Sequence, residues 1–160
     1  MDFHIREAAA EDAEQVVAAH EASWDATLAE LAGRTLAELA PFDARLQSFR
    51  SGIAAGGPDA RIWVAEADGE IVGLAVARRI DATMVELKDL YVAPRAWGTG
   101  VARALMDEAL ASLGDFDVAN LWVVEANARA RRFYEREGWR PDGATRATPF
   151  GAGELRYARP

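Results

Sequence analysis

Two glycines stand at the start of a predicted helix, in the stretch Trp97-Gly98-Thr99-Gly100-Val101. The first N–H groups of a helix have no intrahelical partner, and the helix dipole places partial positive charge there. Because glycine has no side chain, it lets a ligand approach these amides closely. Acidic residues, which commonly occupy a helix start, are absent until Asp107, while Arg103 lies one turn in. The stretch therefore predicts a binding site for an anion.

Two well-known phosphate-binding loops do not match this stretch. The nucleotide-binding P-loop requires Gly-x-x-x-x-Gly-Lys-Ser/Thr, and no lysine follows either glycine here. The dinucleotide-binding loop requires a third small residue, for close packing of the helix on a strand, at the position that Arg103 occupies. Too few residues also follow the stretch for a dinucleotide fold. Both kinds of nucleotide site are therefore disfavoured.

The elements around this stretch alternate between strands and helices. A first strand at "FHIREA" precedes helical segments that Pro41 interrupts. Two β-rich runs then meet at Asp68-Gly69, a dipeptide typical of a two-residue hairpin turn. After the glycine-opened helix come a strand, a helix between Asn127 and Gly138, and two C-terminal strands. This order predicts a mixed α/β domain built round one sheet.

The strand before the glycines, "TMVELKDLYVAP", has a fault in its alternation. Val85 and Leu87 share one parity, whereas Leu90 and Val92 share the other. A regular strand cannot bury both pairs on one face, and an extra residue at positions 88–89 would form a β-bulge that reconciles them. The alternative is a strand buried on both faces. The alternation alone does not choose between the two.

Length and composition limit the classes of protein that the chain can be. Its 160 residues, 51% of them hydrophobic, predict one domain spanning 1–160. The absence of cysteine excludes disulfides and thiolate catalysis, and with only two distant histidines no metal site is expected. A net charge of −8 argues against a nucleic-acid partner. No apolar run would span a membrane and no leader is recognised, so we expect a soluble cytoplasmic protein.

Two motifs, at the glycine stretch and at the later helix, occur in a familiar order. The first is a strand ending in Val-x-Pro, at Val92 and Pro94, followed by Gln/Arg-x-x-Gly-x-Gly/Ala at residues 97–102. Gly100 and Ala102 match this pattern, whereas Trp97 stands where Gln or Arg is usual. The second motif is matched by Asn127, Ala130, Tyr134, Glu135, Gly138 and Trp139. Together they resemble the GNAT superfamily of N-acetyltransferases, over nearly the whole chain and most weakly between about residues 30 and 58.

The resemblance implies a fold, a reaction and a cofactor. The fold is α/β, with a mixed, mostly antiparallel central sheet of about six or seven strands flanked by about four helices, and with a bulge in the fourth strand. The reaction is transfer of an acetyl group from acetyl-CoA to a primary amine by direct attack through a tetrahedral intermediate, without a metal. The cofactor-binding residues implied are Leu90, Tyr91 and Val92 for the pantetheine arm, Gly98, Thr99, Gly100, Val101, Ala102 and Arg103 for the pyrophosphate, and Asn127.

Three side chains are candidates for proton transfer in such a reaction. Tyr134, seven residues after Asn127, is predicted to protonate or hydrogen-bond the leaving thiolate, the alternative being a packed aromatic residue. Glu86 is the first candidate for the base that deprotonates the amine, and Glu125 is the second. Either carboxylate can instead be a solvated surface group. The resemblance implies that the backbone N–H of Val92 stabilises the oxyanion.

The sequence says less about the residues that would bind the acceptor amine and the 3′-phosphate of coenzyme A. Trp24, with His20, and Glu125 are candidates for binding the acceptor, although a core position is the better explanation of Trp24. Five arginines of the later helix region are candidates for the 3′-phosphate of coenzyme A, or for a solvated helix face. They are Arg129, Arg131, Arg132, Arg136 and Arg140.

The predicted partner is a small-molecule or peptide amine, with no nucleic acid and no membrane. A different class of function on the same fold is a non-catalytic acyl-CoA-binding or regulatory domain, and a third is a nucleotide-dependent enzyme that uses the same helix start. The oligomeric state is left open by the sequence, and the C-terminal strand "GELRYARP" is a candidate for pairing across a homodimer.

Overall fold

A computed structural model describes residues 1–160, with a single seven-stranded sheet at its centre. The strands are β1 (His4–Glu7), β2 (Ala60–Ala67), β3 (Glu70–Arg79), β4 (Met84–Val92), β5 (Val118–Val124), β6 (Arg140–Ala147) and β7 (Gly153–Arg159). The helices are α1 (Ala13–Thr27), α2 (Ala29–Ala32), α3 (Leu36–Leu39), α4 (Phe42–Ala54), α5 (Val101–Ala111) and α6 (Ala128–Arg136). The strand order is β1-β2-β3-β4-β5-β7-β6, and only the β4–β5 pair is parallel. The predicted mixed, mostly antiparallel α/β fold is confirmed, with six helices rather than about four.

The additional helices come from the region between α1 and α4, where the sequence breaks the helical path repeatedly. Gly33 ends α2 in the left-handed region, with φ +66°. Thr35 then caps α3, because its side chain accepts a hydrogen bond from the N–H of Glu38. Pro41 precedes α4, in the position that tolerates proline. Two single-turn helices therefore replace part of what reads as continuous helix.

The hairpin between β2 and β3 turns where the sequence predicts. Asp68 and Gly69 both have positive φ, +53° and +77°, which is the geometry of a two-residue hairpin turn that matches the twist of its strands. Ala67 faces Glu70 across this turn. The hairpin prediction is confirmed.

The β-bulge in β4 is also confirmed. Val76 of β3 pairs with Asp89, and the next pair along the ladder joins Ala77 to Leu87, which leaves Lys88 without a partner. The extra residue lets Leu87 and Leu90 pack on the same core cluster despite their odd spacing.

β4 and β5 pair over only a short distance and then separate. Their ladder holds three pairs, ending at Glu86 with Asn120. Beyond this point the two strands diverge, and each leads into a helix on the same face of the sheet, α5 after β4 and α6 after β5. The divergence opens a cleft between the ends of β4 and β5.

The sheet is covered on both faces beside this cleft. On one face α5 buries Val101, Leu105 and Met106 completely, as its helical spacing predicts. On the other face α1 packs Val16 against Leu74. Burial on both sides holds β4, the strand that borders the cleft, in a fixed position.

β7 does not lie at an edge of the sheet. It pairs with β5 on one side and with β6 on the other, so its backbone hydrogen bonds are already used within the chain. The prediction that this strand pairs across a dimer is therefore wrong. None of the helices combines the length and the apolar character that a membrane span requires.

Candidate functional site

A cavity of about 470 Å³ lies in the cleft, between the start of α5, the end of β4 and one face of α6. It extends towards Ser23 and Thr27 at the end of α1. The structure brings most of the predicted site residues to its wall. These are Leu90, Tyr91, Val92, Gly98, Gly100, Ala102, Arg103, Asn127 and Tyr134.

The loop into α5 presents an uninterrupted row of free amides. No backbone N–H from Gly98 to Arg103 has a hydrogen-bond acceptor within the protein, and the first helical bond runs from Ala104 to Gly100. Gly98 and Gly100 have φ of +75° and +92°, a region that residues with a side chain rarely adopt. No acidic residue lies in the first turn of α5. Free donors and the positive end of the helix dipole together make an anion-binding cradle.

Two predicted residues of this loop take part only through their backbone. The hydroxyl of Thr99 donates to the carbonyl of Ala96 at 2.6 Å, and the side chain of Val101 is completely buried in the core. Neither side chain lies at the cavity wall. Both hold the loop in the shape that exposes its amides.

The end of β4 turns alternate backbone groups towards the cleft. Ala93 donates to Val72 of β3 at 2.8 Å, so in the antiparallel pattern the N–H groups of Leu90 and Val92 point away from β3. β5 has already diverged at this point. These backbone groups are therefore free to pair with an extended ligand.

Trp97 connects the strand, the loop and α6. Its indole nitrogen donates to the carbonyl of Val92 at 2.8 Å, and the guanidinium carbon of Arg129 lies 3.8 Å from the centre of its ring. Both side chains line the cavity. The sequence identified Trp97 as unusual but gave no sign of either contact.

The arginines of the α6 region divide into two groups. Three of them, at helical spacing on one face, line the cavity: Arg129, Arg132 and Arg136. Arg131 instead donates to the hydroxyl of Tyr157 at 3.0 Å, and Arg140 donates to the carbonyl of Glu135 at 2.7 Å. The second group stabilises the packing of α6 on β6 and β7.

Tyr134 lies buried at the cavity wall. Its ring makes edge contacts with Phe133 and Trp139, at centroid distances of 5.2 Å and 6.2 Å. Burial, and then the negative charge of Asp89, raise the pKa of the Tyr134 phenol above its usual value. The phenol is neutral at physiological pH and keeps its proton available for donation.

Asp89 is a candidate that the sequence did not single out. It is half-buried on β4, directly after the bulge, and its carboxylate makes no hydrogen bond or ion pair within the protein. Burial raises its pKa, and its charge in turn raises the pKa values of Tyr91 and Tyr134. It therefore lies close to two residues of the cavity wall. Asp89 lies two positions before Tyr91, and this spacing puts both residues on one face of the strand. The spacing is the sequence feature from which Asp89 could have been identified.

Glu86, Trp24 and Glu125 are not brought to the cavity. The carboxylate of Glu86 is buried and held by Arg78, at 2.7 Å from its guanidinium nitrogen. Trp24 is a core residue, packed with its ring edge towards Phe150 at a centroid distance of 5.8 Å. Glu125 is exposed at the end of β5.

His20 covers Tyr91 from the α1 side. The two rings lie 4.3 Å apart, and Phe49 of α4 packs edge-on to His20 at 5.6 Å. Burial, with a smaller contribution from the charge of Arg45, lowers the pKa of His20 to about 4. The imidazole is therefore neutral near pH 7 and packs as an aromatic ring behind the cavity wall.

Comparison with known proteins agrees with this geometry. The sequence profile of the acetyltransferase (GNAT) family matches residues 13–139. An N-acetyltransferase of Mycobacterium tuberculosis is 41% identical over 112 residues, which are 69% of this chain and 71% of that protein. The crystal structure of PaiA N-acetyltransferase from Thermoplasma acidophilum, in complex with coenzyme A, has a TM-score of 0.75 at 22% identity and covers 98% of each chain. An acetyltransferase from Thermus thermophilus has a TM-score of 0.74 at 18% identity, over 100% of this chain and 97% of that one.

The profile and the mycobacterial relative establish the family, and the two solved structures share its fold. The free amides before α5, the bulged β4 and the cleft beside β5 lie within the matched residues. The chain belongs to the acetyltransferase (GNAT) family and is an N-acetyltransferase.

Proposed function

We propose that this enzyme transfers the acetyl group of acetyl-CoA to a primary amine, carried by a small molecule or a peptide, by direct attack through a tetrahedral intermediate. The single observation that carries the proposal is the row of free amides from Gly98 to Arg103, which opens into the same cavity as the neutral phenol of Tyr134. An anion site next to a proton donor fits a thioester that carries a diphosphate. The relative crystallised with coenzyme A shares this fold.

The arrangement of the cavity supports one orientation of the bound acetyl-CoA, with its diphosphate at the start of α5 and its pantetheine arm along β4. The diphosphate fits the amides before α5, since their N–H groups are unpaired and lie at the positive end of the helix. From there the pantetheine arm is proposed to follow β4, where Leu90 and Val92 turn backbone groups to the cleft. Asn127, whose side chain caps α6 by accepting from Ala130 at 3.1 Å, borders the same passage.

Two groups are proposed to stabilise the charges that develop during transfer. The N–H of Val92 is the donor for the oxyanion of the tetrahedral intermediate, because it points into the cleft and has no partner there. Tyr134 faces the leaving sulfur. Its raised pKa widens the gap to a thiol of pKa about 8.5, so hydrogen bonding to the thiolate is favoured over complete proton transfer.

Asp89 is the carboxylate best placed to take the proton of the amine. An alkylammonium group with a pKa near 10.4 is mostly protonated at pH 7 and must lose a proton before it attacks. Asp89 is free of partners, and its raised pKa makes it a better acceptor than an ordinary carboxylate. Glu86, by contrast, is held in an ion pair with Arg78, and Glu125 is exposed directly after the end of β5.

The proposal is tested by incubating the protein with acetyl-CoA and a panel of amines and following the release of free thiol. Simple polyamines, amino acids, lysine peptides and peptide N-termini cover the acceptor classes. We expect thiol release that depends on one class of amine, with the acetylated amine identified by mass spectrometry. Tight binding of acetyl-CoA without turnover on any amine would contradict the proposed reaction and favour a binding role. One domain over residues 1–160 and a cytoplasmic location stay predictions.

A further inference from the structure

Arg129 and Trp97 form a stacked pair that joins α6 to the loop before α5. Arg129 lies in the first turn of α6, and Trp97 directly precedes Gly98. The guanidinium carbon stands 3.8 Å from the ring centre, which is a close cation–π contact. A guanidinium stacked in this way keeps its edge, with its N–H donors, free for a ligand in the plane.

The ring that supports Arg129 is itself fixed. The indole nitrogen of Trp97 donates to the carbonyl of Val92 at 2.8 Å, so the ring is tied to the last residue of β4. β4 is in turn held by β3 and by helices on both faces. Arg129 is exposed, but its guanidinium is stacked on a ring whose position is set by the strand that borders the cleft.

Arg129, like Arg132 and Arg136, has no anionic partner within the protein, and it alone of the three is stacked on Trp97. Arg103 lies 3.5 Å from Glu137 and 3.6 Å from Asp107, and Arg95 pairs with Glu70. Arg129 makes no salt bridge and no side-chain hydrogen bond within the protein, although Trp97 holds it at the cavity wall. A positioned and unpaired guanidinium beside a row of free amides fits an anion with more than one negative oxygen.

We propose that Arg129, positioned by Trp97, binds the diphosphate of coenzyme A together with the amides from Gly98 to Arg103. This rests on the proposed function and assigns a side chain to an interaction that the loop otherwise makes through its backbone. Of the three cavity arginines Arg129 is the one in contact with Trp97, the residue directly before the free amides. The diphosphate, and not the 3′-phosphate, is therefore its ligand.

Binding of coenzyme A and of dephospho-CoA, which lacks only the 3′-phosphate, tests the assignment by calorimetry. Arg129→Ala is expected to weaken both ligands by the same factor, about tenfold, because both retain the diphosphate. Arg129→Lys should recover part of the loss, since it keeps the charge but not the stacked fork. Arg34→Ala, which removes an exposed charge that does not line the cavity, is the matched control and should leave both affinities unchanged.

The positioning role of Trp97 is tested by comparing the effect of its substitution on coenzyme A binding with and without Arg129. Trp97→Ala should weaken coenzyme A binding in the wild-type background and have little further effect when Arg129 is already alanine, because the two act as one unit. Trp97→Phe keeps a ring for stacking and should cost less than Trp97→Ala. Additive losses in the double variant would remove the positioning role.

The outcomes separate this assignment from the proposed function. If the wild-type protein binds neither ligand, the proposed function fails and the assignment fails with it. If the wild type binds coenzyme A but Arg129→Ala loses only its preference for coenzyme A over dephospho-CoA, Arg129 meets the 3′-phosphate and the assignment is overturned. Unchanged or tighter binding by Arg129→Ala would also overturn it, the latter by showing that the stack obstructs the cavity.

Discussion

Asp89 lies opposite Val76 in the ladder between β4 and β3, one residue out of step with the pair of Leu87 and Ala77 that follows. Because Lys88 takes up the extra position, Asp89 and Glu86 lie on the same face of β4 although they are an odd number of positions apart, with Leu87 and Lys88 between them. Arg78 pairs with Glu86 in the same ladder and neutralises it. The bulge thus leaves one carboxylate paired with Arg78 and the other, that of Asp89, without a partner two residues before Tyr91 of the cavity wall.

Exchange of Asp89 for Asn is expected to lower kcat by about 10²-fold near pH 7, because the amine loses its proton acceptor. In the wild type, kcat should rise with pH as Asp89 ionises, and its raised pKa places this rise above the usual range of a carboxyl group. Asp89→Asn should abolish that limb of the pH–rate profile. Glu86→Gln is the matched control, which should keep the limb while lowering thermal stability, because Arg78 loses its partner. A limb that survives in Asp89→Asn would assign the base elsewhere.

Removal of the phenol hydroxyl from Tyr134 is expected to slow catalysis without weakening the binding of acetyl-CoA. Tyr134→Phe keeps the buried ring and its edge contacts but removes the hydrogen bond to the leaving thiolate, so kcat should fall about 10²-fold. The dissociation constant of acetyl-CoA should change little. Tyr157→Phe serves for comparison, since the Tyr157 hydroxyl bonds Glu135 and Arg131 outside the cavity. It should lower the melting temperature and not kcat. Wild-type turnover in Tyr134→Phe would leave Tyr134 a packing role only.

A negative charge introduced at the start of α5 should specifically weaken the binding of coenzyme A. Gly100 has φ +92°, so any side chain there strains the loop, although its Cβ would meet no atom within 4 Å. Gly100→Asn measures that strain, and Gly100→Asp adds only a charge. We expect Gly100→Asp to bind coenzyme A at least about tenfold more weakly than Gly100→Asn, because the carboxylate occupies the anion cradle. Equal affinities in two folded variants would argue against the cradle.

The parts of the site that lie within one element follow from the sequence. The free amides before α5 are predicted by two glycines and a first turn without acidic residues, and α5 itself by apolar residues at helical spacing. The bulge is indicated by a change of parity within one strand. Each of these depends on residues that are close in the chain, so local physical rules are sufficient.

Contacts between distant elements could not be predicted in this way. Whether Glu86 is free depends on Arg78, which reaches it only through the register of the β3–β4 ladder. Trp97 meets Arg129 because α6 follows a strand that diverges from β4, which no spacing in the sequence reveals. Likewise β7 is inserted between β5 and β6, so a strand that looks free in the sequence is internal. The chemistry-bearing residue types were visible, whereas their partners were fixed by tertiary structure.

The buried imidazole of His20 is expected to make the stability of the enzyme depend on pH. Its pKa is about 4 in the folded protein and 6.5 when unperturbed, so between these values the unfolded chain binds a proton that the folded protein excludes. The contribution of His20 to the free energy of unfolding should therefore be complete above about pH 6.5 and be lost as the pH falls towards 4. Urea denaturation near pH 7 and near pH 5 measures this loss.

The His20→Phe variant isolates that contribution. Phenylalanine keeps an aromatic ring against Tyr91 and Phe49 and removes the imidazole nitrogen Nδ1, which is buried without a hydrogen-bond partner. Its free energy of unfolding should therefore fall less than that of the wild type between the two pH values. His4→Gln is the matched control, because the His4 side chain is 62% exposed and should leave the pH dependence as in the wild type. A His20→Phe variant with the full wild-type loss would show that other groups, such as carboxylates in ion pairs, cause it.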